Sequence, residues 1–218
     1  MQPVRPRVSN GLNLRVCPGS VTVPGLDVSH WNGSIDWPKV KAQQNEFAFM
    51  KASEGKTYID SSFRRNWVNA KTAGLLRGAY HFFRPAQDVN SQVDLFLNLL
   101  CPDMGELPPV LDFEVHDGMK IVTQVDGALR WLNSVEDAIK RVPILYVSPG
   151  FMNDLNNPQE FYKYPLWVSN YGVQCPKVPP PWQTWTFWQD SEKGRVQGVV
   201  APVDINIFNG SLETLKAL

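Results

Sequence analysis

The sequence predicts an α/β fold, specifically a modified β/α barrel of eight strands with fewer than eight helices. Eight short apolar runs of strand length are each bounded by Gly, Pro or polar residues, and amphipathic stretches separate several of them. The helical patterns weaken after the fifth run, so a full ring of eight helices is not expected. The strand candidates lie at 25–29, 47–53, 77–82, 109–114, 143–147, 166–169, 184–189 and 204–208.

Amphipathic spacing between the strand candidates predicts four helices. Asp36 is a suitable N-cap for the first, and Pro38 falls in its first turn, where proline is tolerated. The second stops before Gly74, a residue type that ends helices. The proline-rich stretch at 179–182 predicts a rigid loop. The predicted helices span 36–44, 61–73, 89–100 and 121–141.

Length and composition predict one large domain. The 218 residues are 43% hydrophobic and 19% charged, which allows a substantial core. We expect an N-terminal extension at 1–23 and a barrel at 24–218, in a monomer. The net charge of +0 gives no electrostatic footprint for nucleic acid, and no run reaches the ~20 apolar residues of a membrane span. The N-terminus lacks the apolar region of a signal peptide, which favours another delivery route.

Cysteine and histidine usage predicts neither a metal site nor a cofactor. Cys17, Cys101 and Cys175 form no CxxC motif; one disulfide is possible, and its pairing stays open. The chain has three histidines and no HxH or HExxH spacing. His81, at a strand end, is interpreted as a hydrogen-bonded wall residue. No nucleophile elbow and no glycine-rich phosphate loop is present.

Asp112 and Glu114 are the strongest local signal for chemistry. They alternate along the apolar strand candidate VLDFEV, so both side chains point to the same side. Two carboxyl groups on one face of a buried strand are costly, and crowding raises the pKa of at least one. A carboxyl group held protonated near neutral pH can act as a general acid. The alternative is a salt-bridged pair with a structural role.

Two further acids stand at strand ends. In an eight-stranded barrel the first and last strands are neighbours, so Asp27 and Asp204 are expected beside each other at the mouth that holds Glu114. Alone, each could instead be a helix cap or a loop anchor. The many aromatic residues could pack in the core, or could bind the flat apolar face of a sugar ring.

Eight motifs in chain order resemble glycoside hydrolase family 25, the Chalaropsis-type lysozymes of fungi, bacteria and phage. The resemblance covers about residues 25–210. One departure is WQD at 188–190, where the family often has WQY; this puts a contact at Asp190 in doubt. The motifs are GLDVSHWNG, FMKASEG, GAYHFF, PVLDFE, LYVSP, LWVSNY, FWQD and VDINIF.

The resemblance implies hydrolysis of the β-1,4 bond between N-acetylmuramic acid and N-acetylglucosamine in peptidoglycan glycan strands, at the cell wall. It implies that Glu114 is the general acid/base, with Asp112 as its strand partner and Asp27 and Asp204 in the same acidic floor. The aromatic positions that it implies for substrate binding are Tyr80, Tyr146, Trp167, Tyr171 and Trp188.

The sequence leaves the mechanism and two other function classes open. We favour substrate assistance, in which Asp112 orients the 2-acetamido group of the sugar as that group attacks. The runner-up mechanism uses Asp204 or Asp27 as a nucleophile or base. The other function classes are a catalytically inactive peptidoglycan-binding module on the same barrel and an inhibitor or structural protein.

Overall fold

Eleven strands are present in the computed structural model, which describes residues 13–218. Each of the eight strand candidates corresponds to one of these strands, although the seventh lies later than expected, and β1, β4 and β9 are additional two-residue strands. In chain order they are β1 (Leu14–Arg15), β2 (Val23–Val28), β3 (Phe47–Glu54), β4 (Tyr58–Ile59), β5 (Leu76–Phe82), β6 (Val110–Asp112), β7 (Ile144–Val147), β8 (Leu166–Ser169), β9 (Lys177–Val178), β10 (Phe187–Gly194) and β11 (Val203–Phe208).

Eight strands close into a mixed barrel in the order β2, β3, β5, β6, β7, β8, β10 and β11. Seven of them are parallel, and β11 is antiparallel to both of its neighbours, β10 and β2. The first residues of β11 therefore lie at the mouth where the other strands end. The predicted barrel is confirmed, with this one reversed strand as a feature that the sequence left undefined.

Six α-helices cover the barrel within the described part of the chain. The four predicted helices are present; the Asp36 side chain accepts a hydrogen bond from the Lys39 amide at 3.3 Å, as expected of an N-cap. The other two helices are short, and each begins after a serine cap, Ser148 or Ser211. The helices are α1 (Trp37–Ala42), α2 (Phe63–Thr72), α3 (Val89–Leu100), α4 (Ile121–Ile139), α5 (Pro149–Asp154) and α6 (Leu212–Lys216).

The core has two layers because the strand residues alternate between the inside and the outside of the barrel. The outer layer packs the barrel against the helices and includes Trp131 and Trp188. The inner layer fills the lower barrel with aromatic rings, among them Phe49, Trp167 and Phe187. Phe49 stacks on Trp167 with ring centroids 4.6 Å apart. These buried rings fill the interior of the barrel below its mouth.

The segment before the barrel is tied to the loop that follows β8. Strand β1 pairs with β9, and Cys17 forms a disulfide with Cys175, which leaves Cys101 as an exposed free thiol. The Trp185 indole Nε1 donates to the Val16 carbonyl at 2.8 Å. Residues 14–17 thus pack against the barrel. In residues 13–218, none of the helices has the length and apolar character that crossing a bilayer requires.

Candidate active site

A cavity of about 340 Å³ opens at the mouth of the barrel. Its walls come from inward-facing positions near the ends of the parallel strands and from the start of β11. Eight of the nine residues proposed from the sequence line this cavity. They are Asp27, Asp112, Glu114, Asp204, Tyr80, Tyr146, Trp167 and Tyr171.

Asp112 and Glu114 share one wall of the cavity, as their alternation predicts. Strand β6 ends at Asp112, but the Phe113 amide donates to the Tyr146 carbonyl at 3.0 Å, which continues the extended chain. The Phe113 side chain packs in the outer core layer. Because side chains alternate along the extended chain, the Glu114 side chain points into the cavity, as that of Asp112 does. Asp112 is buried, and its Oδ1 has no hydrogen-bond partner, whereas Glu114 is exposed in the cavity.

The cavity raises the pKa values of both carboxyl groups. Burial and the neighbouring charge of Glu114 raise the pKa of Asp112 well above its usual range. Desolvation within the cavity raises the pKa of Glu114, although Lys51 opposes this shift. The Lys51 ammonium lies 2.6 Å from Glu54 and is the basic side chain in the cavity wall. The pair can therefore retain a proton at a pH where isolated carboxyl groups are ionised.

Asp27 and Asp204 form a second carboxyl pair. They are direct partners across β2 and β11, so the reversed strand is what brings them together. The Asp27 Oδ2 accepts hydrogen bonds from Gln189 Nε2 and Asn206 Nδ2, both at 2.7 Å. Burial raises the pKa of Asp27 to about 6 and, with repulsion from Asp27, that of Asp204 to about 8. Near neutral pH the two carboxyl groups share one proton.

Gln189 connects the acids to the aromatic wall. Its Oε1 accepts hydrogen bonds from the Tyr146 hydroxyl at 2.8 Å and the Tyr171 hydroxyl at 2.6 Å. The Trp167 indole donates to Asn206 Oδ1 at 2.8 Å. Burial raises the pKa of Tyr171 to about 12, so this phenol is a neutral donor. Each amide side chain is thereby fixed in one orientation, with its NH₂ group toward Asp27.

The interpretation of Trp188 as a substrate-binding residue requires correction. Its side chain lies in the outer core layer and is only 4% exposed. The indole Nε1 donates to the Asn170 carbonyl at 2.9 Å. Its neighbours Phe187 and Gln189 face the barrel interior, and alternation turns Trp188 away from the cavity. Trp188 therefore packs on the outer side of the strand that forms this part of the cavity wall.

Three polar residues that shape the site were not selected from the sequence: Lys51, Gln189 and Asn206. Alternation is the signal that could have found them, because Lys51 lies two positions after Phe49, and Asn206 two after Asp204. His81 lies outside the cavity: its imidazole is hydrogen-bonded to Ser53 Oγ at 2.8 Å and to Gln92 at 3.0 Å. Burial lowers its pKa to about 4.

A family model and the sequences of known proteins assign this chain to the same family. The model of "Glycosyl hydrolases family 25" matches residues 26–199. Lysozyme M1 of Streptomyces globisporus is 40% identical over 208 residues, which cover 90% of this chain and 71% of that protein. The N,O-diacetylmuramidase of Chalaropsis sp is 28% identical, over 90% of this chain and 99% of that protein.

A solved structure has the same architecture. The lysozyme of Streptomyces coelicolor superposes with a TM-score of 0.85 at 37% identity, and the match covers 92% of this chain and 98% of that one. The family model covers most of the sequence, and both acids of the LDFE motif lie inside it. The chain therefore belongs to glycosyl hydrolase family 25 and is a glycoside hydrolase.

Proposed function

We propose that this chain is a muramidase that cleaves the β-1,4 bond between N-acetylmuramic acid and N-acetylglucosamine in peptidoglycan, at the cell wall. The observation that carries the proposal is the exposed Glu114 carboxyl group beside the buried Asp112, both with raised pKa values. Relatives named as a lysozyme and as an N,O-diacetylmuramidase support this class of substrate.

Glu114 is the general acid/base in this proposal. It protonates the glycosidic oxygen while the acetamido oxygen of the same sugar attacks C1, so the C1–O bond breaks as a cyclic oxazolinium ion forms. The ionised Glu114 then removes a proton from water, and the water oxygen attacks C1 and reopens the ring. Two inversions at C1 give net retention.

Asp112 orients the acetamido group in this scheme. Its Oδ1 is buried and lacks a partner in the described structure, so it can accept a hydrogen bond from the acetamido N–H. Positive charge develops on the acetamido group as the ring closes, which favours an ionised Asp112 below it. The runner-up nucleophiles are less suitable, because Asp27 already accepts two amide hydrogen bonds and Asp204 shares its proton.

The direct test combines product analysis with Glu114→Gln. Wild-type protein should release fragments with N-acetylmuramic acid at the reducing end, identified by borohydride reduction and mass spectrometry. Glu114→Gln keeps the side-chain size but cannot donate the proton, so kcat should fall by roughly 10²-fold or more. Glu160→Gln changes an exposed glutamate that does not line the cavity, so it is the matched control and should keep wild-type turnover.

Three results would contradict the proposal. N-acetylglucosamine at the reducing end would assign the other glycosidic bond. A folded Glu114→Gln protein with wild-type turnover would remove the general acid from this position. Binding of glycan without release of any product would favour the inactive binding module instead.

A further inference from the structure

A second groove of about 360 Å³ adjoins the catalytic cavity, and two residues, Trp31 and Lys51, line both. Its remaining walls come from the segment after β2, from the β3–β4 hairpin and from the loop after β5. In strand order this sector lies across the mouth from β7 and β8. A linear polymer bound at the acids can therefore continue into this groove.

Two aromatic rings in the groove face solvent. Trp31 is 79% exposed and Tyr58 is 40% exposed, although both belong to a molecule that buries most of its other aromatic side chains. Large aromatic residues exposed together beside a cavity are typical of a binding surface. The ring of His30 lies between them, with its centroid 4.4 Å from that of Trp31 and 6.0 Å from that of Tyr58.

The two rings are held on a rigid support. The backbone amide of His30 donates to Asp60 Oδ2 at 3.0 Å, and its Nδ1 lies 2.9 Å from the same oxygen. The Tyr58 hydroxyl lies 3.1 Å from His30 Nδ1. The Asp60 side chain is fully buried and is also bonded to Ser62. A surface that is ordered before binding loses little conformational entropy when a ligand arrives.

The charges in the groove favour a neutral ligand. The Lys51 ammonium is paired with Glu54 at 2.6 Å. Arg84, next to the groove, contacts Asp117 at 3.0 Å. A peptide stem with free carboxyl groups would meet the Glu54 carboxylate in the groove wall, where the lining ammonium of Lys51 already has a partner. A neutral sugar can use the aromatic rings through its apolar face and the polar rim through its hydroxyl groups.

We infer that the Trp31–Tyr58 groove binds a neutral N-acetylated sugar of the same glycan strand, beyond the sugars at the acids. The inference rests on the proposed function and adds a subsite that selects long strands over short ones. Trp31 lines both the catalytic cavity and the outer groove, whereas Tyr58 lines only the outer groove.

The test compares peptide-free glycan oligomers of four and eight sugars as substrates of the full chain. Tyr58→Ala should lower the ratio of kcat/KM for the octamer over that for the tetramer by roughly three- to tenfold, the range expected for the loss of one aromatic contact. Tyr58→Phe keeps the ring and should keep the ratio. Tyr162→Ala removes an exposed aromatic residue elsewhere and should also keep it. Thermal unfolding checks that each variant is folded.

The possible outcomes separate this inference from the proposed function. An unchanged ratio in a folded Tyr58→Ala protein, or in Tyr58→Leu if the alanine variant does not fold, would overturn the subsite. So would a loss seen only with octamers that carry peptide stems, because the groove would then bind the stem. If wild-type protein cleaves neither oligomer nor intact peptidoglycan, the proposed function itself fails.

Discussion

Asp112 differs from the other cavity acids in having a buried oxygen without a partner. If that oxygen orients the acetamido group, Asp112→Asn should lower kcat by roughly 10²-fold while glycan binding changes little, because the contact strengthens only as charge develops. Turnover and the Kd of an uncleaved glycan measure the two effects. A cyclic thiazoline that mimics the oxazolinium ion should bind wild type well and the variant poorly.

The stereochemistry of the products provides an independent check on Asp112. NMR of fresh digests should show net retention at the anomeric carbon. Net inversion would exclude the acetamido route and point to a water molecule activated by Asp27 or Asp204. Retention with equal thiazoline affinity in both proteins would instead support a carboxylate nucleophile.

Lys51 controls the charge balance around the proposed general acid. Desolvation within the cavity raises the pKa of Glu114, and the positive charge of Lys51 lowers it. Lys51→Met should therefore raise this pKa further. Since the acid must be protonated, the alkaline limb of the kcat/KM profile should move to higher pH.

The conservative variant Lys51→Arg is the control for this shift. It retains the positive charge, so its alkaline limb should stay near that of wild type. A Lys51→Met profile with the same midpoint as wild type would show that Lys51 does not act on Glu114 through its charge. A change in overall rate without a shifted midpoint would indicate a loss of packing only.

At the scale of single elements, β11 explains why the last part of the chain has few helices. Antiparallel strands can be joined by a short connection, whereas parallel neighbours require a long crossover. Strand β11 pairs with β10 on one side and β2 on the other, both antiparallel, so it closes the barrel without a crossover helix. The same reversal places Asp204 at the mouth, opposite Asp27.

Strand β5 shows how closely the inner layer is packed. A Cβ atom at Gly78 would lie 2.3 Å from the Phe49 ring, and Phe49 is held between other aromatic rings. Gly78→Ala should therefore lower the free energy of unfolding by about 1–3 kcal/mol, the usual cost of overpacking a core. Urea denaturation measures the change.

Gly150→Ala is the matched control for that substitution. Gly150 lies in α5, where an added Cβ would come no closer than 3.8 Å to the atoms around it. Alanine is favoured over glycine within a helix, so this variant should be as stable as wild type or slightly more stable. Equal stability of Gly78→Ala and wild type would mean that the barrel interior can rearrange around Phe49.

For the whole molecule, the carboxyl pair at the mouth makes stability depend on pH. Burial raises the pKa of Asp204 from 3.8 to about 8, so between these values the folded chain keeps a proton that the unfolded chain releases. The contribution of this carboxyl group to the free energy of unfolding is therefore fully present below pH 3.8 and is lost as the pH rises toward 8. Asp204→Asn should be more stable than wild type at pH 8, by on the order of 1–2 kcal/mol after allowance for solvent screening.

Denaturation at several pH values measures this effect. The advantage of Asp204→Asn should shrink as the pH falls toward 4, because the wild-type carboxyl group is then neutral in the folded chain and close to half-protonated in the unfolded chain. Asp126→Asn, an exposed acid on α4, should show no such trend. An advantage that is the same at pH 4 and pH 8 would have a cause other than this proton.

Much of the fold was readable from the chain because its signals are local. Strand-length apolar runs, the Asp36 cap and the helical spacing at 89–100 each depend on near neighbours in sequence, and the structure has a strand or helix at each place. Alternation within LDFE likewise put Asp112 and Glu114 on one side without any knowledge of the tertiary fold.

Only the tertiary structure decided which face of each strand looks into the cavity. The barrel strands are buried on both faces, so apolar residues occur at odd and even positions alike, and the pattern does not distinguish inside from outside. The strand pattern therefore could not correct the placement of Trp188 at the substrate, which the family resemblance implied, and it did not select Gln189. The pairing of β11 with β2 and of Cys17 with Cys175 depends on contacts between residues more than 150 positions apart, for which a single sequence carries no local signal.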